Sequence, residues 1–198
     1  MMAEFLARYP QITVEIVEET SLVDIVGAGF DAGLRWEESL AKDMVAVSLG
    51  PPQCYLLVAS PRFLKGRVRP KSPKDLLGHP CITPRFPGRA QIPWEFEKHG
   101  RVMRILPDAR LQSANIPLMI RAAIDGAGYL VTFEGFARPA IASKQLVPLL
   151  EEWLPSFPGP FLYYPSRRQN PPSLSAFIGF VKEWRSREKI QASQAVKA

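Results

Sequence analysis

Two cysteines and two histidines are all that the 198 residues supply. So few cysteines exclude a disulfide framework, and Cys54 and Cys81 read as reduced, partly buried thiols of a cytosolic protein. No Cys, His and acid cluster has metal-ligand spacing and no glycine-rich phosphate loop occurs, so neither metal nor cofactor is expected. His79 and Cys81, two apart, would share a strand face, but no third residue orients them, and packing is the expected role. The adjacent acids Glu151 and Glu152 read as helix surface. No apolar run approaches the ~20 residues that span a bilayer, and no membrane partner is expected. Met1 to Arg8 lacks the apolar run of a signal peptide, and no internal repeat is found.

What is present is an uneven charge. The net charge is +6, yet residues 1–50 hold nine acids and three bases. Residues 51–148 hold fifteen bases and six acids. The change falls near Pro51-Pro52 and suggests two subdomains of different surface character. The densest basic stretch, Arg62 to Lys74, has six bases and no acid. Gly66, Pro70 and Pro73 break it into what is expected to be a solvated loop.

Hydrophobic periodicity places the elements. Met2, Phe5, Leu6 and Tyr9 form one stripe of a helix stopped by Pro10. Ile12, Val14 and Ile16 alternate with Thr13 and Glu15, predicting a strand. Leu22 to Ala28 reads as a short helix stopped by Gly29, followed by strands at Ala32–Arg35 and Met44–Val47. Gln53 to Ala59 is a strand covered on both faces. Ser60-Pro61 starts a helix through Leu64, and Ser72 to Gly78 is another capped turn. Trp94–Phe96 and Val102–Ile105 form a hairpin around His99-Gly100. Ile116–Asp125 is a helix, Tyr129–Phe133 and Phe161–Tyr164 are strands, and Leu174, Phe177, Ile178, Val181 and Trp184 mark the last helix. Beyond Ser186 a polar tail is expected to fray. Strands alternating with helices predict a parallel, open α/β sheet.

The wording of these segments resembles the effector-binding domain of LysR-type transcriptional regulators. The matching phrases are Phe5-Leu6 with Tyr9-Pro10, Val23–Val26 with Gly29–Ala32, Leu49-Gly50, Val58–Pro61 with Phe63-Leu64, Asp75-Leu76 with His79 and Cys81-Ile82, Trp94 with Phe96 and Gly100, Ala122-Ala123 with Gly126 and Gly128, Leu146-Val147 with Leu150 and Trp153, and Tyr164-Pro165. Phe133 replaces a proline usual in the family. The family's leading strand and its helix-turn-helix domain have no counterpart, so the sequence reads as a fragment. The resemblance implies an α/β fold of two Rossmann-like subdomains joined by two crossover strands, similar to type 2 periplasmic binding proteins. Residues 1–52 with 161–190 would form the first subdomain, residues 53–160 the second, and residues 191–198 a polar tail. Gln53–Ala59 and Phe161–Tyr164 would act as a hinge. A small acidic or aromatic effector would bind between the subdomains and shift a hinge equilibrium, without chemistry. Partners would be a second copy, in a homodimer or tetramer, through the Met2–Tyr9 and Ile116–Asp125 helices, and DNA only through the absent domain. A solute-binding protein of the same fold is the alternative.

In open α/β sheets ligands sit at strand carboxyl ends. Those positions are Glu18, Glu19 and Thr20, then Arg35-Trp36, then Thr83, Pro84, Arg85 and Phe86, then Ser113, Ala114 and Asn115, then Thr132 and Phe133. Ser113 to Asn115 precede a helix, whose positive end suits a carboxylate; they equally suit a plain N-cap. Arg35 either meets the effector or pairs with Glu37 or Glu38, and Arg85 either binds an anion or is solvated. Trp36, Phe86 and Phe133 serve packing or ring stacking. Glu18 beside Glu19 argues against an anion on that side.

Overall fold

A computed structural model describes residues 1–18, 24–25, 27–35, 44–85, 91–166 and 170–195, with side chains through Arg187. The chain divides into two compact units, Met1–Pro52 with Pro158–Ala198, and Gln53–Phe157.

The second unit is built on a mixed sheet. Strands β3 (Gln53–Ala59), β4 (Pro80–Pro84), β7 (Asp108–Ser113) and β8 (Tyr129–Phe133) lie in the order β3-β8-β4-β7. β4 runs parallel to both β7 and β8, whereas β3 is antiparallel to β8. On its other side β3 takes two short antiparallel strands, β9 (Val147–Leu149) and β10 (Ser156–Phe157). The period of two then sorts side chains into two cores. Leu57, Ala59, Cys81 and Tyr129 face one way; Val58, Ile82 and Leu130 face the other.

Helices α3 (Ile116–Ile124) and α4 (Glu134–Ala142) cover the second of these faces through Met119, Ala123, Ala137 and Ala140. The first is covered by helix α2 (Pro61–Leu64), a 3₁₀ turn at Pro73–Leu76 and the hairpin of β5 (Trp94–Lys98) and β6 (Arg101–Ile105). Each piece is closed by local chemistry. The Ser60 hydroxyl accepts from the Phe63 N–H at 3.3 Å. The Asp75 carboxylate accepts from the N–H groups of Lys71 and Ser72 at 2.8 and 2.9 Å, which lowers its pKa. His99 and Gly100 turn the hairpin with φ of 52° and 74°, the region that two-residue turns need.

In the first unit, β1 (Gly33–Arg35), β11 (Phe161–Pro165) and β2 (Met44–Ser48) form an antiparallel sheet in the order β1-β11-β2. Helix α5 (Pro172–Ala195) packs Leu174 and Ile178 on Leu162 and Tyr164. Helix α1 (Met2–Arg8) joins through Phe5, whose ring meets those of Phe177 and Phe180 at 5.0 and 5.4 Å. The Tyr163 ring lies across Gly33, leaving no room for a Cβ there.

Several expectations are corrected. Parallel pairing is confined to β7-β4-β8 among the described residues, because the other strands meet their neighbours head to tail. Ile12 to Glu18 pairs with no described strand, and Ile16 stands 68% exposed. Alternation alone does not make a strand; a neighbour must supply the hydrogen bonds. The helix expected at Leu22–Ala28 falls partly outside the described residues. Within them Ile25 and residues 27–29 lie in turns, with the Ala28 N–H donating to Asp24 O and Gly29 at φ 79°. The tail after Ser186 does not fray at once. α5 runs to Ala195, since Glu, Lys, Gln and Ala extend a helix already nucleated on a core. α4 has no counterpart in the sequence reading because Pro139 lies inside it; burial of Ala137 and Ala140 holds it.

β3 carries both cores of the second unit, so Leu57→Ala should cost about 2–5 kcal/mol. Val68→Ala, at a residue 87% exposed, should be near neutral. Urea denaturation measures both, and equal losses would contradict this placement of the core.

Candidate functional site

The parallel strands of the second unit end level with one another. Pro84 at the end of β4 pairs with Ser113 at the end of β7. Thr132 lies two residues beyond the Ile82–Leu130 pair of β4 and β8. Three expected site residues, Thr83, Ser113 and Thr132, therefore share one edge of one sheet. Thr83 is fully buried and its hydroxyl accepts from Gln112 Nε2 at 3.4 Å. The Arg85 backbone N–H donates to Ser113 O at 3.2 Å, and its side chain is exposed.

Ser113, Ala114 and Asn115 form the approach to α3. Ser113 Oγ accepts from the Asn115 N–H at 3.0 Å, and Asn115 Oδ1 accepts from the Leu118 N–H at 2.8 Å. Asn115 is thus the N-cap. The Met119 N–H is taken by Asn115 O, and Pro117 has no N–H. Ile116 N–H is left as the first-turn donor without an acceptor among the described residues. The Ser113 hydroxyl, having accepted, keeps its own proton to donate. Two donors at the positive end of a nine-residue helix can take a carboxylate or similar anion. Ala114 offers only backbone and is exposed.

Phe133 is the N-cap of α4 and belongs to an aromatic group. Its ring lies 4.7 Å from that of Tyr55 and 6.1 Å from that of Phe157, and Tyr55 stacks on Phe157 at 4.9 Å. Packing is therefore a role it does fill. Nearby the Cys54 thiol donates to Glu134 Oε2 at 3.0 Å, a contact that sequence spacing does not reveal. Gln112 was likewise missed; only the pairing of Thr83 with Gln112 in parallel register brings it in.

In the first unit the Arg35 guanidinium lies over the Tyr163 ring at 5.2 Å. Glu18 is exposed at the end of the unpaired segment. Thr20, Glu19, Trp36, Phe86 and the acids Glu37 and Glu38 lie outside the described residues.

The Cys81 thiol has no hydrogen bond to the His79 ring. It donates to the His79 carbonyl oxygen at 3.3 Å. Burial, then the nearby Asp108 carboxylate, push this thiol up to about 12. Burial and the Glu134 hydrogen bond push Cys54 up to about 11. Among the described residues no helix is long and apolar enough to cross a membrane, and no group of three or more His, Cys, Asp or Glu could hold a metal.

Known proteins share this frame. The LysR substrate binding domain matches residues 1–186, and the chain belongs to that family. A putative transcriptional regulator of Pseudomonas aeruginosa is 36% identical over 187 residues, covering 94% of this chain and 61% of its own length. The HTH-type transcriptional regulator PgrR of Escherichia coli is 34% identical over 183 residues, covering 91% and 61%. The regulatory domain of AphB in Vibrio vulnificus shares the fold at TM-score 0.78 and 20% identity, over 92% of this chain and 89% of that one. CrgA, a LysR-type transcriptional regulator from Neisseria meningitidis, does so at TM-score 0.76 and 23% identity, over 92% and 61%. The chain thus spans about three fifths of the length of the curated relatives it matches. The two-subdomain α/β architecture, similar to type 2 periplasmic binding proteins, is that of LysR regulatory domains.

The buried Cys81 thiol should react with Ellman's reagent at pH 7–8 only as fast as the chain opens, whereas half-buried Cys54 is slowed by its raised pKa. Both pKa values are raised from about 9, so the stability from the neutral thiols is fully present below pH 9. It is lost as pH rises through about 11 and 12. A rapid native-state reaction of Cys81 would contradict the thiol environment described.

Proposed function

We propose that the chain is the effector-sensing part of a LysR-type transcriptional regulator and that its two units are the effector-binding subdomains. A small acidic or aromatic metabolite is held, untransformed, at the carboxyl edge of β4, β7 and β8. The Ser113 hydroxyl and Ile116 N–H take its anionic group, and the exposed Arg85 side chain adds a cation. What carries this reading is the pair of free donors at the start of α3, beside a sheet edge where Thr83 and Thr132 also end. The basic balance of residues 51–148 supports an anion.

In this reading the ligand biases an equilibrium between arrangements of the parent protein, and DNA is bound by a domain beyond this chain. Such a regulator works in the cytoplasm. The curated relatives are named as transcriptional regulators, which favours this over a secreted solute-binding protein. Self-association through α1 and α3 is part of the proposal. Leu6 on α1 and Leu118 on α3 are 41% and 48% exposed, which leaves both open to a second copy.

A thermal-shift screen against metabolite acids should find a compound that raises the melting point, since a ligand of the native state alone stabilises it. Calorimetry should then show Arg85→Ala and Ser113→Ala each weakening it about tenfold, or ~1.4 kcal/mol. Unchanged affinity in both removes the anion assignment. Light scattering of Leu118→Glu should give monomers where the parent chain gives dimers; a chain that is monomeric throughout at micromolar concentration removes the dimer proposal.

A further inference from the structure

Between the start of α2 and the 3₁₀ turn the chain carries Arg62, Lys65, Arg67, Arg69, Lys71 and Lys74, with no acid before Asp75. All six are exposed. Elsewhere among the described residues the exposed cations Arg8, Arg104, Arg121, Arg138 and Arg187 each hold a carboxylate, whereas Arg85, Arg101, Arg110, Lys144 and Lys182 stand singly without one. Among the described residues none of the six in this loop has an ion pair. Asp75 offsets at most one of the six charges; its carboxylate accepts from the N–H groups of Lys71 and Ser72 and forms no ion pair with them.

The backbone under these charges is fixed. The Arg67 N–H donates to Leu64 O at 3.0 Å, Gly66 turns the chain at φ 75°, and Pro70, Pro73 and Leu76 are buried. Pro70 restricts Arg69 to extended conformations. Arg67 and Lys71 stand at bends on either side of Arg69, and all three side chains are exposed. The loop has no free ring on which bases could stack, as the Arg67 guanidinium lies over Phe63 at 4.6 Å. That favours a duplex backbone over a single strand. A cluster of unpaired cations on a braced backbone also gains from counterion release, since no internal salt bridge must break first.

We infer that the 62–74 loop is a docking surface for the sugar–phosphate backbone of duplex DNA, contacted without regard to base sequence. It gives this domain a hold of its own on DNA, additional to that of a DNA-binding domain elsewhere in the parent. The inference rests on the regulator reading for its setting but not on any effector site.

The test is fluorescence anisotropy of a labelled duplex of arbitrary sequence titrated with the 198-residue chain from 50 to 200 mM salt. Binding in the micromolar range at 50 mM is expected, with a log–log salt slope of about −3 for three phosphate contacts. The triple variant Arg67→Glu, Arg69→Glu, Lys71→Glu should bind at least tenfold more weakly with a shallower slope. The triple variant Arg101→Glu, Arg110→Glu, Lys182→Glu carries the same change in net charge and should stay within about twofold of the parent. Arg67→Gln, Arg69→Gln, Lys71→Gln keeps the test open if charge reversal disturbs folding, judged by circular dichroism. No binding at 50 mM, or equal losses in both charge-reversed variants, overturns the proposal. So does a loop variant that alters self-association by light scattering but leaves DNA binding intact, which would make the loop a contact for an acidic protein surface. Failure to find an effector by thermal shift leaves every one of these outcomes readable.

Discussion

The second unit depends on one strand being buried on both faces. Leu57, Val58 and Ala59 of β3 are all fully buried. Because successive residues of a strand point opposite ways, Leu57 and Ala59 close one core and Val58 the other. β4 and β8 repeat the division, with Cys81 and Tyr129 against Ile82 and Leu130. A slip of one residue would exchange these sets. Leu57 and Ala59 would then meet the alanines of α3 and α4, and Val58 the tryptophan and phenylalanines of the opposite cover. The register of β3 on β8 is thereby fixed by volume as well as by hydrogen bonds.

That register also sets the chemistry at the sheet edge. With Pro84 opposite Ser113, the chain leaves β7 directly into the N-cap of α3. Ser113 and Asn115 satisfy two N–H groups and leave one donor and one hydroxyl proton over. The bland role and the functional one are compatible, since capping uses oxygen lone pairs while an anion needs hydrogens. The thiols show the opposite outcome. Cys54 and Cys81 each donate to an oxygen, and burial leads in holding both in the neutral form, which suits packing rather than reaction.

Charge is divided along the chain in a way that packing does not require. Most exposed cations of the helices and the hairpin are spent on nearby carboxylates, worth little individually at a surface. The 62–74 loop keeps its charges unspent on a braced backbone. Such a surface supplies attraction without shape specificity, complementary to the directional donors at the start of α3.

Much of the fold was legible because its signals are local. The apolar run of β3, the stripe of α3, Ser60-Pro61 before α2, and His99-Gly100 in the hairpin each act within a few residues. The family resemblance rested on the same short phrases. Ser113 and Asn115 were legible as a cap for that reason, and Thr83, Thr132 and Phe133 as strand ends. Pairing was not legible. Ile12 to Glu18 has the alternation of a strand without a described neighbour, and α4 forms despite Pro139 because the sheet receives its alanines. The contact of Gln112 with Thr83, the seat of Arg35 on Tyr163, and the bond of Cys54 to Glu134 join residues 29, 128 and 80 positions apart. Sequence by itself determined β3, α2, α3 and the β5–β6 hairpin with the residues that end them, because backbone propensity and period act at short range. Which strands are neighbours, which cations stay unpaired and which donors stay free were decided only by the tertiary structure, because those depend on what long-range packing brings alongside.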